Sequence, residues 1–211
     1  MRVTLPHPSL LTPSWTQDQP MTYEEYRRSP EEFARYDIVD GWKIYRVYGE
    51  QELANPTRYH QMVLQRIARF LEDYTVQTGS GEVIIAPCDV LIRHTPLRCR
   101  QPDILYMSQE RWAQNPSIES AEPLSPAPEL VIEILSSSDT ATVLQAKLSD
   151  YAQVEVRECW LISLTDKTVE IREREENFFH TVSQLGQEQI LTSSLLPGLQ
   201  IPVAQIFPTT K

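Results

Sequence analysis

With 211 residues, 41% apolar and 23% charged, the chain has the length and composition of one globular domain with a sizeable core. No stretch approaches the roughly 20 uninterrupted apolar residues of a membrane helix. Three cysteines without a CxxC pair (Cys88, Cys99, Cys159), and four histidines at no ligand spacing to them, point to reduced thiols and away from a zinc site. The formal charge of −10 repels a phosphate backbone at long range, so a nucleic-acid function requires a local basic surface or bound cations.

Residues 1–20, broken by Pro6, Pro8, Pro13 and Pro20, read as a flexible polar leader and not as a secretory signal, so a cytoplasmic protein is expected. A single domain is expected over 21–211. Thr22 with Glu25 three residues on is a capping box, opening a short helix in MTYEEYRR that Ser29–Pro30 closes. YDIVDGWKIYRVYG turns about Asp40–Gly41 as a β-hairpin. From Thr57 to about Tyr74, Met62, Val63, Ile67, Phe70 and Leu71 keep a helical period, and Gly79 marks the stop. EVIIAP, CDVLIRH and DILYM are strand-like, with a basic loop between the last two. A Pro- and Ser-rich loop over roughly 114–128 leads into ELVIEIL, a short β-branched run suited to a strand buried on both faces. Ser136, Ser137, Ser138 and Asp139 supply candidate N-caps for a helix running to about Val154. ECWLIS, TVEIRERE and NFFHTVSQ continue as strands, with a turn at Asp166–Lys167. Leu196–Pro197–Gly198–Leu199 begins a tail that returns through Ile206–Phe207. This order predicts an α/β fold, helices packed on a sheet, with the hairpin as an N-terminal addition.

Ionisable residues interrupt the apolar pattern at informative places. Glu133 lies inside LVIEIL, Asp103 opens the strand of PDILYM, and Asp89 stands within APCDVLI. Buried carboxylates are costly unless paired, metal-bound or set at a cleft. Lys147 shares one helical face with Leu144, Leu148 and Tyr151, the face that should meet the sheet. Two acids and a lysine form a chemical toolkit. Asp103 and Glu133 can hold Mg²⁺ or Mn²⁺ through oxygen, with the backbone carbonyl of Ile134 as a third ligand. Such a cation acidifies water and neutralises charge on a phosphoryl oxygen, while the Lys147 ammonium orients the water or steadies the transition state. The bland alternative is strand-end acids at an exposed edge and a lysine whose ammonium reaches past apolar neighbours to solvent.

On these residues the chain resembles the PD-(D/E)XK nuclease superfamily, and within it the Uma-two-type restriction endonucleases. The matching pieces, in order, are MTYEEYRRSPEE, YDIVDG, NPTRYHQMVLQRIARFLE, EVIIAPCDVLI, QPDILYMS, PELVIEILSSSDT, AKLSDYAQVEVRECWLIS and LPGLQIPVAQIF. The resemblance implies a restriction-endonuclease-like core, a central mixed β-sheet flanked by helices, and a metal-dependent endonuclease acting on nucleic acid, DNA foremost. It identifies Asp103 with the Asp of the QPD motif and Glu133 with the Glu of the VIEIL strand. A strict Glu-x-Lys would place lysine at 135, where this chain has Leu135; the family's lysine has moved to the following helix and matches Lys147.

Several positions depart from the family pattern: Gly41–Trp42, Glu155 for a glycine, Cys159 before Trp160, Ser163–Leu164, and Val143 for an acid. The last removes an extra acidic contact to the metal. Asp89 and His60 also match family positions and, with Tyr151, are candidates to stand behind the metal ligands; a strand-end hydrogen-bonding acid and a packing histidine are their structural alternatives. Arg93, Arg98 and Arg100, directly before Asp103, and Arg58, Arg66 and Arg69 on the helix from 57 are candidate phosphate contacts, against the alternative of a salt-bridged surface. Nucleases of this kind commonly pair, and the aromatic late strands (Trp160, Phe178, Phe179) suggest a homodimer. The competing readings are a non-catalytic binding or assembly module on the same fold, and hydrolysis of a small phosphate ester in a closed pocket.

Overall fold

The computed structural model describes residues 17–30, 32, 35–45, 57–135 and 140–209. Residues 1–16 of the expected leader, the far end of the hairpin run (46–49) and the N-cap candidates Ser136 to Asp139 lie outside the described residues. In chain order the elements are α1 (Tyr23–Arg28), β1 (Tyr36–Val39), β2 (Trp42–Tyr45), α2 (Arg58–Thr78), β3 (Gly81–Ile85), β4 (Val90–Arg93), β5 (Arg98–Arg100), β6 (Ile104–Ser108), α3 (Gln109–Trp112), β7 (Leu130–Leu135), α4 (Ala141–Gln153), β8 (Glu158–Ser163), β9 (Thr168–Glu175), β10 (Phe178–Leu185), β11 (Ile190–Leu191), β12 (Ile201–Pro202) and α5 (Val203–Ile206).

The main sheet has six strands in the order β10-β9-β8-β7-β6-β3. β7 and β8 run parallel and the other neighbours antiparallel, so the sheet is mixed. Side chains alternate between its faces. Ile104, Tyr106, Leu130, Ile132, Ile134, Trp160 and Ile162 pack beneath Val63, Ile67 and Leu71 of α2 and the C-terminal tail. Leu105, Met107, Val131, Cys159 and Leu161 meet Leu148 and Tyr151 of α4. Both faces are covered, which is why ELVIEIL carries no polar alternation.

The hairpin does not stand alone. β1 and β2 join β5 and β4 in a second, antiparallel sheet of order β2-β1-β5-β4, with its own core of Tyr26, Tyr36, Ile38, Leu91, Leu97 and Cys99. Strand β5 lies where the sequence suggested a basic loop. Its arginines are accommodated because buried aspartates from other elements meet them, as described below. The first described contacts belong to Gln17, whose side-chain amide spans the hairpin through the carbonyl of Gly41 and the N–H of Lys43.

Local signals set the ends of the helices. Thr22 and Glu25 form the capping box of α1. Gly79 ends α2 at φ 64°, a left-handed position that glycine adopts without strain. The N-cap of α4 is Thr140, one residue past Asp139, and its hydroxyl accepts from the N–H of Val143. Trp160 is fully buried in the core under α2, which removes it from any subunit interface; the exposed apolar residues of these late strands are Phe178 and Val182 on the edge strand β10. Among the described residues no helix is long and apolar enough to cross a membrane.

Candidate active site

The pairing Ile104↔Ile132 puts Asp103 and Glu133, the next residues out along two antiparallel strands, side by side. By alternation both belong to the face that carries Leu105, Met107 and Val131, the face covered by α4. Asp103 is fully buried and Glu133 nearly so. Lys147 and Tyr151, one turn apart on α4, converge on Glu133. Lys147 Nζ donates to Oε2 at 2.7 Å and the Tyr151 hydroxyl to Oε1 at 2.6 Å. The lysine is as buried as its partner, so it does not reach past its neighbours to solvent. Asp103 Oδ2 accepts the N–H of Ile134 at 2.7 Å, tying the two strands together at the acids. Its Oδ1 accepts Arg35 Nη1 at 2.7 Å, with His60 Nε2 at 3.7 Å.

A second layer of charge fixes α4. Asp150, one turn beyond Lys147, is buried and accepts Arg100 Nε at 2.7 Å and Arg98 Nη1 at 3.0 Å. Arg100 also reaches Asp37 at 3.2 Å, and the N–H of Gln101 donates to the other Asp37 oxygen at 3.1 Å. Arg98 and Arg93 both donate to Asp40, at 2.9 and 2.6 Å. The expectation of an outward phosphate clamp is therefore corrected for Arg100: it is buried and serves as counter-ion to two aspartates. Arg98 and Arg93 are likewise engaged within the second sheet. Of the α2 set, Arg58 is exposed in the first turn, Arg66 donates to the carbonyl of Gln205, and Arg69 lies 3.9 Å from Asp73.

Asp89 stands apart from the Glu133–Lys147 pair. Its Oδ2 accepts the hydroxyls of Tyr26 at 2.6 Å and Tyr36 at 3.3 Å. Burial pushes its carboxyl above the ordinary aspartate range, with those hydrogen bonds opposing. It borders a cavity of about 310 Å³ shared with Cys88, Gln101 and Glu122. A polar chain leads from there to Asp103: Gln101 Oε1 accepts the N–H of Tyr36 at 3.1 Å, and its carbonyl accepts Arg35 Nη2 at 3.3 Å. A larger cavity, of about 630 Å³, lies at the C-terminal end of α4 among Arg93, Arg111, Arg157 and Glu155, away from the paired acids. The cysteines are free, and burial pushes the Cys88 thiol up to about 12 and raises those of Cys99 and Cys159, which suits inert packing residues.

The donor set fits a hard divalent cation. Mg²⁺ binds through one or two carboxylates and keeps several waters, so two carboxylates beside a backbone carbonyl suffice. Among the described residues no group of three or more His, Cys, Asp or Glu side chains that could hold a metal ion is present, so any cation here would rest on these two carboxylates. Three residues at the site were not legible as functional: Arg35, Gln101 and Asp150. Arg35 precedes β1 without any periodic signal. Asp150 looks like an ordinary polar helix position until its arginine partners, some 50 residues earlier, are brought to it.

The mixed sheet thus carries an acid pair at neighbouring strands, met by a lysine delivered from the next helix. The chain belongs to the Uma2 family, described as "Putative restriction endonuclease", whose model matches residues 30–204. A solved structure from Anabaena variabilis, described as a putative nuclease belonging to DUF820, is similar in fold: it has a TM-score of 0.69 at 16% identity, covering 89% of this chain and 98% of that one. No curated protein matches.

Proposed function

We propose that the protein is a divalent-metal-dependent endonuclease that hydrolyses phosphodiester bonds in DNA. The observation that carries the reading is the side-by-side placement of Asp103, just before β6, and Glu133 on β7, with Lys147 seated on Glu133. In this reading Asp103, Glu133 and the carbonyl of Ile134 hold Mg²⁺ or Mn²⁺. When bound, the cation supplies Lewis-acid chemistry, acidifying water and neutralising charge on the phosphoryl group. Lys147 keeps its ammonium at the attacked phosphate, where it orients the nucleophile and stabilises the transition state. Tyr151 fixes the rotamer of Glu133, and the Asp150–Arg100 pair fixes the register of α4 over the strands. Arg58, exposed at the start of α2 two residues from His60, supplies positive charge to the approaching backbone despite the net −10. A cytoplasmic location and a homodimer complete the proposal, with Phe178 and Val182 of β10 as the apolar patch; sedimentation at twice the chain mass is the expected result.

One observation favours a second reading, a non-catalytic module on the same frame. All four carboxylate oxygens of Asp103 and Glu133 already accept hydrogen bonds from the protein. Calorimetric titration with Mn²⁺ separates the two. The nuclease reading predicts one site per chain in the wild type, lost in Asp103→Asn and weakened in Glu133→Gln. A folded wild type that takes up no Mn²⁺ would favour the module.

A further inference from the structure

Arg35 holds Asp103 through the oxygen that a cation needs. Asp103 Oδ2 is committed to the N–H of Ile134, whereas Oδ1 faces the Arg35 guanidinium at 2.7 Å. A divalent cation on Oδ1 would stand next to that fixed positive charge in a site where Asp103 is fully buried and screening is weak. The two cations therefore compete for one carboxylate. Arg35 has somewhere to go: its side chain is 22% exposed against 1% for its partner, and among the described residues its other tie is a 3.3 Å contact to the Gln101 carbonyl. Its Nε is buried and without a hydrogen-bond partner among the described residues, as are the hydroxyl of Tyr59 and Nδ1 of His60 at the start of α2. Buried polar atoms left unpaired are rare in folded proteins, and each calls for a partner such as a water or ion, or for a functional role.

We propose that Arg35 is the resident counter-ion of Asp103, that it yields this carboxylate to the divalent cation, and that it then engages the phosphate of the nucleic-acid substrate. The proposal rests on the reading of Asp103 as a metal ligand. It gives Arg35 two mutually exclusive states. In the first its charge neutralises a buried acid. In the second the planar fork of its guanidinium, which suits bidentate phosphate recognition, meets the backbone of the substrate. Ordered uptake follows, because the cation releases the group that grips the phosphate. By linkage the antagonism is reciprocal: what Arg35 costs the cation, the cation costs the Arg35–Asp103 pair.

The test is Mn²⁺ calorimetry on the full chain, comparing wild type with Arg35→Met and Arg35→Gln, which remove the charge, and Arg35→Lys, which keeps it. The two uncharged variants serve as each other's folding control, checked by thermal midpoint. Both should bind Mn²⁺ about tenfold more tightly or better, within the range typical of coupled sites. Arg35→Lys should stay near wild type. With Ca²⁺ as a non-cleaving probe ion, Arg35→Met should lose at least tenfold in affinity for a short fluorescent DNA duplex while its metal affinity rises. Equal Mn²⁺ affinities in wild type and in both uncharged variants would overturn the counter-ion role and leave the metal site standing. Unchanged duplex affinity would overturn the phosphate role. No Mn²⁺ uptake by any folded variant would overturn both this proposal and the metal-site reading beneath it.

Discussion

Replacing Asp150 by asparagine isolates what the buried ion network contributes to α4. The change keeps the volume and removes the charge that Arg100 approaches through Nε at 2.7 Å and Nη2 at 2.6 Å. The side chains of Asp150 and Arg100 are 3% and 6% exposed, so solvent does little to screen the loss. Breaking a buried pair by removing one partner costs about 3–5 kcal/mol. Arg100 retains Asp37 at 3.2 Å, and Arg98 retains Asp40 at 2.9 Å. These remaining partners argue for the low end, about 3 kcal/mol. At about 2–4 °C per kcal/mol for a domain of this size, the thermal midpoint should fall by roughly 6–12 °C. Ser149→Ala, at the exposed neighbouring position, should stay within about 0.5 kcal/mol of wild type. The assay is thermal unfolding followed by circular dichroism, with urea titration as a check that the midpoint moves while the slope does not. Because Lys147 sits one turn before Asp150, a looser helix also displaces the ammonium, and misplacement by about 1 Å can cost on the order of 100-fold in rate. A midpoint within about 2 °C of wild type would refute the claim that this pair anchors α4.

Two further outcomes follow from other buried groups. Tyr151→Phe removes a donor from Glu133 Oε1 and leaves Lys147 on the other oxygen, so it should destabilise by about 1.5–3 kcal/mol, measured by urea unfolding. Asp89→Asn should stabilise the protein at neutral pH. Burial raises the folded-state pKa of Asp89 above the ordinary 3.8, so its favourable contribution is full below that value and is lost as pH rises through the folded pKa. The stability gap between variant and wild type should therefore narrow as pH falls from the raised folded pKa toward 3.8 and be closed below that value, and a gap that does not change with pH would contradict the assignment.

Much of the fold and the heart of the site could be read from the chain itself. Glu133 was conspicuous because an apolar run buried on both faces has no place for an unpaired carboxylate. Lys147 was conspicuous because it fell on the stripe of Leu144, Leu148 and Tyr151. Both arguments are local, and the structure joins the two side chains at 2.7 Å. The charge network was illegible for the opposite reason. Arg98 and Arg100 read as a basic surface because their partners, Asp37 and Asp150, lie far away in sequence and arrive only when the second sheet forms and α4 packs beside it. Trp160, one of several aromatics in late strands, could not be sorted into core or surface before the strand order was known; β8 proves to lie between β7 and β9, under α2 and the tail. Arg35 had no signal at all, since its meaning depends on reaching Asp103 across 68 positions.

The central claim is tested most directly by incubating supercoiled plasmid with wild type and Lys147→Met, in Mg²⁺ or Mn²⁺ and in chelator. The account predicts nicking by wild type that requires the metal and is abolished in Lys147→Met, whose Mn²⁺ uptake persists because Asp103 and Glu133 remain. A folded, metal-loaded wild type that leaves every phosphodiester bond intact, or a Lys147→Met variant that cuts as well as wild type, would contradict it.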